Sequence, residues 1–369
     1  MNFSFNKAII DVQWALISIV TSSAAHFLLR IILGRELGPE GLGIYTLAFT
    51  IYLFGMQFAA FGIGSALTKY VAEFIDNQEK IKIFVSSGMT SSIITGTLMG
   101  VVLFFLSPNI AISFFHVPEL EPLLKLTALC YPFIAIQKAV LGTMNGFRRM
   151  DLYAALNIVQ NVTVVAISVA FVLLFGMGVF GALMGFVLPT ILISLACPLL
   201  IRDSLSLDKS SLCHFPTLWK TTAFGFYVVL GNSIVFLNTQ VDSILIGYYL
   251  NPTEVGIFAV AVLLAQTLTL IPSAIQPVIA PVTATQCGKG NIEGVRKIIF
   301  STMKKSFFLT VIISVVLIII GQFIITILFT DAFVLSYYPL LILQLGYTIY
   351  APIKSVGSTF GSIGKVHIP

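Results

Sequence analysis

The chain has 369 residues, of which 57% are hydrophobic and only 9% charged, with a formal net charge of +5. A soluble domain carries about 25% charged residues, so this composition excludes a water-soluble protein. The positive excess then reports the orientation of loops in a membrane rather than contact with nucleic acid.

A helix needs about 20 apolar residues to cross the hydrocarbon core. In chain order such runs fall at about 12–33, 42–64, 83–106, 120–141, 154–176, 178–201, 221–248, 254–275, 306–329 and 336–353. They are continuously apolar rather than alternating, which excludes the short strands of a membrane barrel. The first run is too long for a signal-peptide core and has no small-residue cleavage site after it. The expected fold is therefore all-α, a polytopic integral membrane protein of ten helices.

Basic residues alternate between the connections. One set holds Lys7, then Lys69, Lys80 and Lys82, then Lys138, Arg148 and Arg149. It continues with Arg202, Lys209 and Lys220, then Lys289, Arg296, Lys297, Lys304 and Lys305, and ends with Lys354 and Lys365. The opposite set holds only Arg35 and Lys125. The positive-inside rule places the N-terminus and the basic connections in the cytoplasm.

A turn between the first two helices recurs 213 residues later, Gly34, Leu37, Pro39 and Gly43 matching Gly247, Leu250, Pro252 and Gly256. From the third helix the offset is 216, pairing Lys80 with Arg296 and Lys138 with Lys354. Both copies start on the same side, so this is a parallel repeat. It divides the chain into a six-helix lobe, 1–202, a cytoplasmic linker, 203–220, and a second lobe of four helices, 221–369. The second copy stops two helices short of the first, and we expect a longer parent chain. The alternative is a natural ten-helix protein.

Nothing in the sequence points to a cofactor. Gly288-Lys289-Gly290 lacks the upstream glycine and following Ser or Thr of a phosphate-cradling loop. Cys130, Cys197, Cys213 and Cys287 have no metal or disulfide spacing. A membrane enzyme acting on prenyl diphosphates would need clustered Asp residues or a large outer loop, and the longest outer connection, about 107–119, supplies neither.

Candidate site residues are the polar groups that hydrocarbon would otherwise disfavour. Arg30 and Asp242 are the mid-helix charges, at similar depth under the 213 offset. They are expected either to pair near an outer gate or to act separately, Arg30 by meeting a phosphate or snorkelling to headgroups. Asn157, Gln160 and Asn161 follow i, i+3, i+4 spacing on one face, and Asn238 shares a face with Asp242. Asn232, Gln240, Gln266 and Gln276 extend the polar inventory. Amides both donate and accept, which suits a sugar-lined route, but they equally serve as bonds between helices. Lys69 and Lys138, with Arg148 and Arg149, lie at the expected cytoplasmic mouth and could attract a diphosphate.

The turn Leu33-Gly34…Gly38-Pro39…Gly41-Leu42-Gly43-Ile44-Tyr45, the stretch Asp242…Gly247…Val255-Gly256-Ile257-Phe258 and the run from Leu141 to Arg149 resemble the Wzx-type polysaccharide flippases of the multidrug/oligosaccharidyl-lipid/polysaccharide exporter superfamily. The resemblance implies two lobes around a cationic cavity and alternating access for a polyprenyl-diphosphate-linked oligosaccharide. It implies a non-enzymatic protein of the cell membrane whose partners are that substrate, membrane lipids and glycan assembly enzymes, without nucleic acid, acting as a monomer. The alternative within the superfamily is a cation-coupled multidrug exporter, which would be expected to carry acidic residues at mid-depth in the first lobe.

Overall fold

A computed structural model describes residues 5–206 and 208–362. Lys365 lies outside the described residues, as does the side chain of Lys7. Among those described, the chain is helical throughout and contains no strand.

The first helix, α1, runs Phe5–Ala60 and is broken at Gly38 (φ 66, ψ −175). A positive φ favours glycine, and Pro39 behind it has no N–H to donate, so the helix restarts there. A second break at Phe61 (φ 43) and Gly62 (φ 64) precedes α2, Ile63–Glu73. The Asn77 side chain then caps α3, Gln78–Pro108, by accepting from the Lys80 N–H at 3.0 Å, satisfying one of the free donors at a helix start.

A π-helical turn, Asn109–Phe114, leads to α4, Leu120–Ala128, and α5, Tyr131–Gly146. The single segment expected at 120–141 is in fact this pair, bent by 44°. Pro132 in the first turn of α5 cannot donate to a preceding turn, so the helix breaks before it. Next come α6, Met150–Leu173, and α7, Gly178–Ala196, then a 3₁₀ segment to Ser204. The short α8, Lys209–Leu212, precedes α9, Phe215–Tyr249. The remaining helices are α10, Pro252–Ala265; α11, Leu270–Gly288; α12, Ile292–Leu328; and α13, Tyr337–Ser362.

Eight of the described stretches are long and apolar enough to cross a membrane, or nine if α4 and α5 form one span. The first, Ile10–Glu73, is 64 residues long. At 1.5 Å per residue that is roughly 95 Å, about three times the hydrocarbon thickness. Divided at Gly38 it supplies two crossings, which brings the total to the ten expected.

The chain forms two compact units, Met1–Val255 and Gly256–Pro369. The sequence repeat leads one to expect a second lobe starting at 221, in α9, yet α9 packs with the first unit. Its buried stripe of Thr221, Gly225, Val229, Phe236, Ser243 and Gly247 accounts for this. Phe236 meets Phe54 of α1 at 5.3 Å between centroids, and Thr50 donates to Gln240 at 3.4 Å. Arg148 and Asp11 form an ion pair at 2.7 Å that joins the α5–α6 turn to the start of α1, so both lie at one end of the unit. In the second unit, Gln276 of α11 donates to the Lys354 carbonyl of α13 at 3.0 Å.

Candidate functional site

A cavity of about 340 Å³ opens in the first unit where the helical path breaks at Phe61 and Gly62. Its polar lining comes from five elements. Gln57 belongs to α1, Ser65 to α2, Lys138 and Asn145 to α5, Tyr153 to α6 and Asn232 to α9. Glycines bring the walls together. A Cβ on Gly64 would lie 2.5 Å from the Lys138 carbonyl, and one on Gly62 would lie 2.6 Å from the Gly225 carbonyl. Thr68 ties α2 to α5 by donating to the Gly142 carbonyl at 2.9 Å.

Lys138 is half-buried and has no ion-pair partner among the described residues. Among the described residues no carboxylate lines the cavity. An ammonium in a membrane-spanning bundle is costly unless water or an anion neutralises it. With amides, hydroxyls and one cation, the cavity can hold a hydroxyl-rich or anionic group.

The other candidate residues are divided among separate contacts. Gln160 is buried; it accepts from Gln137 of α5 at 3.4 Å and donates to Thr190 of α7 at 2.8 Å. Asn161 turns instead to α1, donating to Ser22 at 2.8 Å and bonding His26. Asn157 donates to the Tyr153 carbonyl of its own helix at 2.9 Å. Replacing Gln160 by Leu is expected to cost about 0.6–1.7 kcal/mol of stability, the range of interhelical hydrogen bonds in membranes. The check is thermal unfolding in detergent; an unchanged midpoint would show that the three-helix bond contributes nothing.

The pairing of Arg30 with Asp242 is not found. Arg30 lies in electrostatic reach of Tyr45 and His26, and neither Arg30 nor Asp242 forms an ion pair among the described residues. The physical reason is the Gly38 break. Thr50 and Phe54, beyond it, meet α9, whereas Ser22 and its neighbours, before it, meet α6. Asn238 and Asp242 are exposed, on the side of α9 away from its buried stripe.

Lys69 lies 4.9 Å from the Tyr70 ring and 5.1 Å from that of Phe224, and it follows Thr68 of the cavity wall directly. Sequence reasoning missed Gln57, Ser65, Asn145 and Tyr153. The available signal was Phe61-Gly62-Ile63-Gly64, two glycines interrupting an apolar run. His26 was also missed, although Ser22, His26 and Arg30 share one helix face at i, i+4, i+8 spacing.

Comparison with known proteins gives a consistent picture. Residues 10–285 match the family described as polysaccharide biosynthesis protein. A lipid III flippase of Escherichia coli (strain K12) is 30% identical over 137 residues, 37% of this chain and 32% of that relative. The match thus spans about a third of the relative's length. Among solved structures, the lipid II flippase MurJ in an inward closed conformation superposes with a TM-score of 0.72 at 16% identity, covering 96% of this chain and 77% of that one. An inward-facing multidrug resistance MATE family transporter of the MOP superfamily gives 0.67 at 17% identity, covering 95% and 86%. At these identities the structural likeness speaks for the fold alone.

Proposed function

Because the chain belongs to the polysaccharide biosynthesis protein family, we propose that it moves lipid-linked oligosaccharide across a membrane. The observation that carries this reading is the Lys138 cavity. A cation amid amides and hydroxyls, inside a unit of membrane-spanning helices, suits a phosphate joined to a sugar. Asn238 and Asp242 are exposed polar groups further along α9, on a helix whose lipid-facing positions would be apolar. The polyprenyl tail remains in the bilayer, where its transfer is not opposed.

On this reading the two repeats exchange access to the cavity between the two sides of the membrane. The membrane is the cell membrane, and the N-terminus and basic connections face the cytoplasm. The protein acts as a monomer supplying glycan assembly enzymes. Liposomes containing the purified protein are expected to translocate radiolabelled lipid-linked oligosaccharide faster than protein-free liposomes. Equal rates would overturn the reading. Protein-dependent ethidium efflux in place of glycolipid transfer would favour a multidrug exporter, for which the described lining of the cavity offers no carboxylate.

A further inference from the structure

A second cationic feature lies outside the cavity, where α2, α3 and α9 meet. Phe74, Phe84, Tyr70 and Phe224 form a continuous series of ring contacts, with centroids 5.4, 4.7 and 6.3 Å apart in that order. Tyr70 is buried and Phe84 nearly so, whereas Lys69 and Lys220 are exposed. Three ammonium groups rest on this column. Lys80 lies 4.8 Å from Phe74, Lys69 lies 4.9 Å from Tyr70, and Lys220 lies 5.0 Å from the same Tyr70 ring.

Two cations that share a ring are no farther apart than the sum of their distances to it, about 10 Å. One comes from α2 and the other from α9. Neither forms an ion pair among the described residues, although Glu73, Asp76 and Glu79 are close in the chain. The ring face attracts each ammonium, and this holds two mobile side chains in place before any ligand arrives, which lowers the ordering cost of binding. Among the described residues, no ion pair neutralises either ammonium.

We propose that Lys69 and Lys220 bind the phosphate of an anionic lipid headgroup, which links α2 to α9 at this end of the first unit. The position favours a lipid over a soluble anion. Lys220 precedes the apolar run of α9 by one residue and Lys69 is in the last turns of α2, so both ammoniums fall at headgroup level, where basic side chains attract anionic lipid. The exposed rings of Trp219 and Phe215 beside them suit the same interfacial layer. The inference rests on α2 ending one membrane crossing and α9 forming another, and is independent of the transported substrate.

Binding of dioleoyl phosphatidylglycerol and of undecaprenyl diphosphate to the purified protein can be titrated by native mass spectrometry. Lys69→Gln and Lys220→Gln are each expected to weaken binding about fivefold, and together about twentyfold, from the usual contribution of a lysine near an anionic surface. Lys69→Arg with Lys220→Arg should restore it. The thermal midpoint of each variant confirms that it is folded, since both side chains are exposed. Displacement of phosphatidylglycerol by undecaprenyl diphosphate would identify the diphosphate lipid as the preferred source of the phosphate, and resistance to displacement would identify the bilayer phospholipid. A folded double glutamine variant that binds both lipids as the native protein does would overturn the proposal. Failure of the liposome transport assay would leave this measurement untouched, so the two readings fail separately.

Discussion

Replacing Lys138 by glutamine is expected to lower transport of lipid-linked oligosaccharide about 10- to 100-fold. Glutamine keeps much of the length and the hydrogen-bonding capacity of the side chain but removes its charge. Hydrogen bonds to a charged group contribute about 1.5–3 kcal/mol, and about 1.4 kcal/mol corresponds to a factor of ten. Among the described residues no other cation lines the cavity, so none of them substitutes for the lost ammonium. Lys138→Arg should retain most of the rate, because it preserves the charge. The comparison is made in liposomes at matched protein density, with thermal unfolding as the control. Native-rate transport by a folded Lys138→Gln variant would remove the cavity from the mechanism.

A larger effect on stability is expected from Gly142→Val. A Cβ at Gly142 would collide with the Gly64 carbonyl, and that atom is backbone, so it cannot swing aside as a side chain could. The substitution would part α2 from α5 and break the hydrogen bond from Thr68 to Gly142. Close approach of backbones through small residues is a main source of helix association where lipid replaces water. Overpacking of this kind costs about 3 kcal/mol or more. A marked fall in the thermal midpoint, or loss of monodisperse protein in detergent, is the expected result. Gly231→Ala is the matched control, since nothing lies within 4 Å of the Cβ it would add; it should melt as the native protein does or slightly higher. If Gly142→Val also melted with the native protein, the α2–α5 contact described above would be wrong.

The family assignment and the fold were both legible in the residues, and for a local reason. Whether a segment crosses a bilayer depends on its own length and apolarity, so ten runs could be read one at a time. The Gly38-Pro39 turn was visible because a positive φ followed by a missing N–H constrains residue types directly. The bend between α4 and α5 was missed, although Pro132 marks it, because apolarity continues unbroken through the break.

The site residues were less legible. Gln160 and Asn161 are adjacent, and their spacing from Asn157 placed all three on one broad helix face. Successive residues nevertheless point about 100° apart, so one bonds α5 and α7 while the other bonds α1. Arg30 and Asp242 matched in depth under the repeat, but depth leaves the direction around each helix axis open.

By itself, the sequence determined that this is a polytopic helical membrane protein. Lys138 was already a candidate as one basic residue among several at an expected cytoplasmic mouth. Only the tertiary structure decided that it shares a cavity with Gln57, Asn145 and Asn232. The physical reason is that the cavity depends on contacts between distant segments. Gly62, Gly64 and Gly142 must let backbones approach before residues so far apart in the chain can line one space.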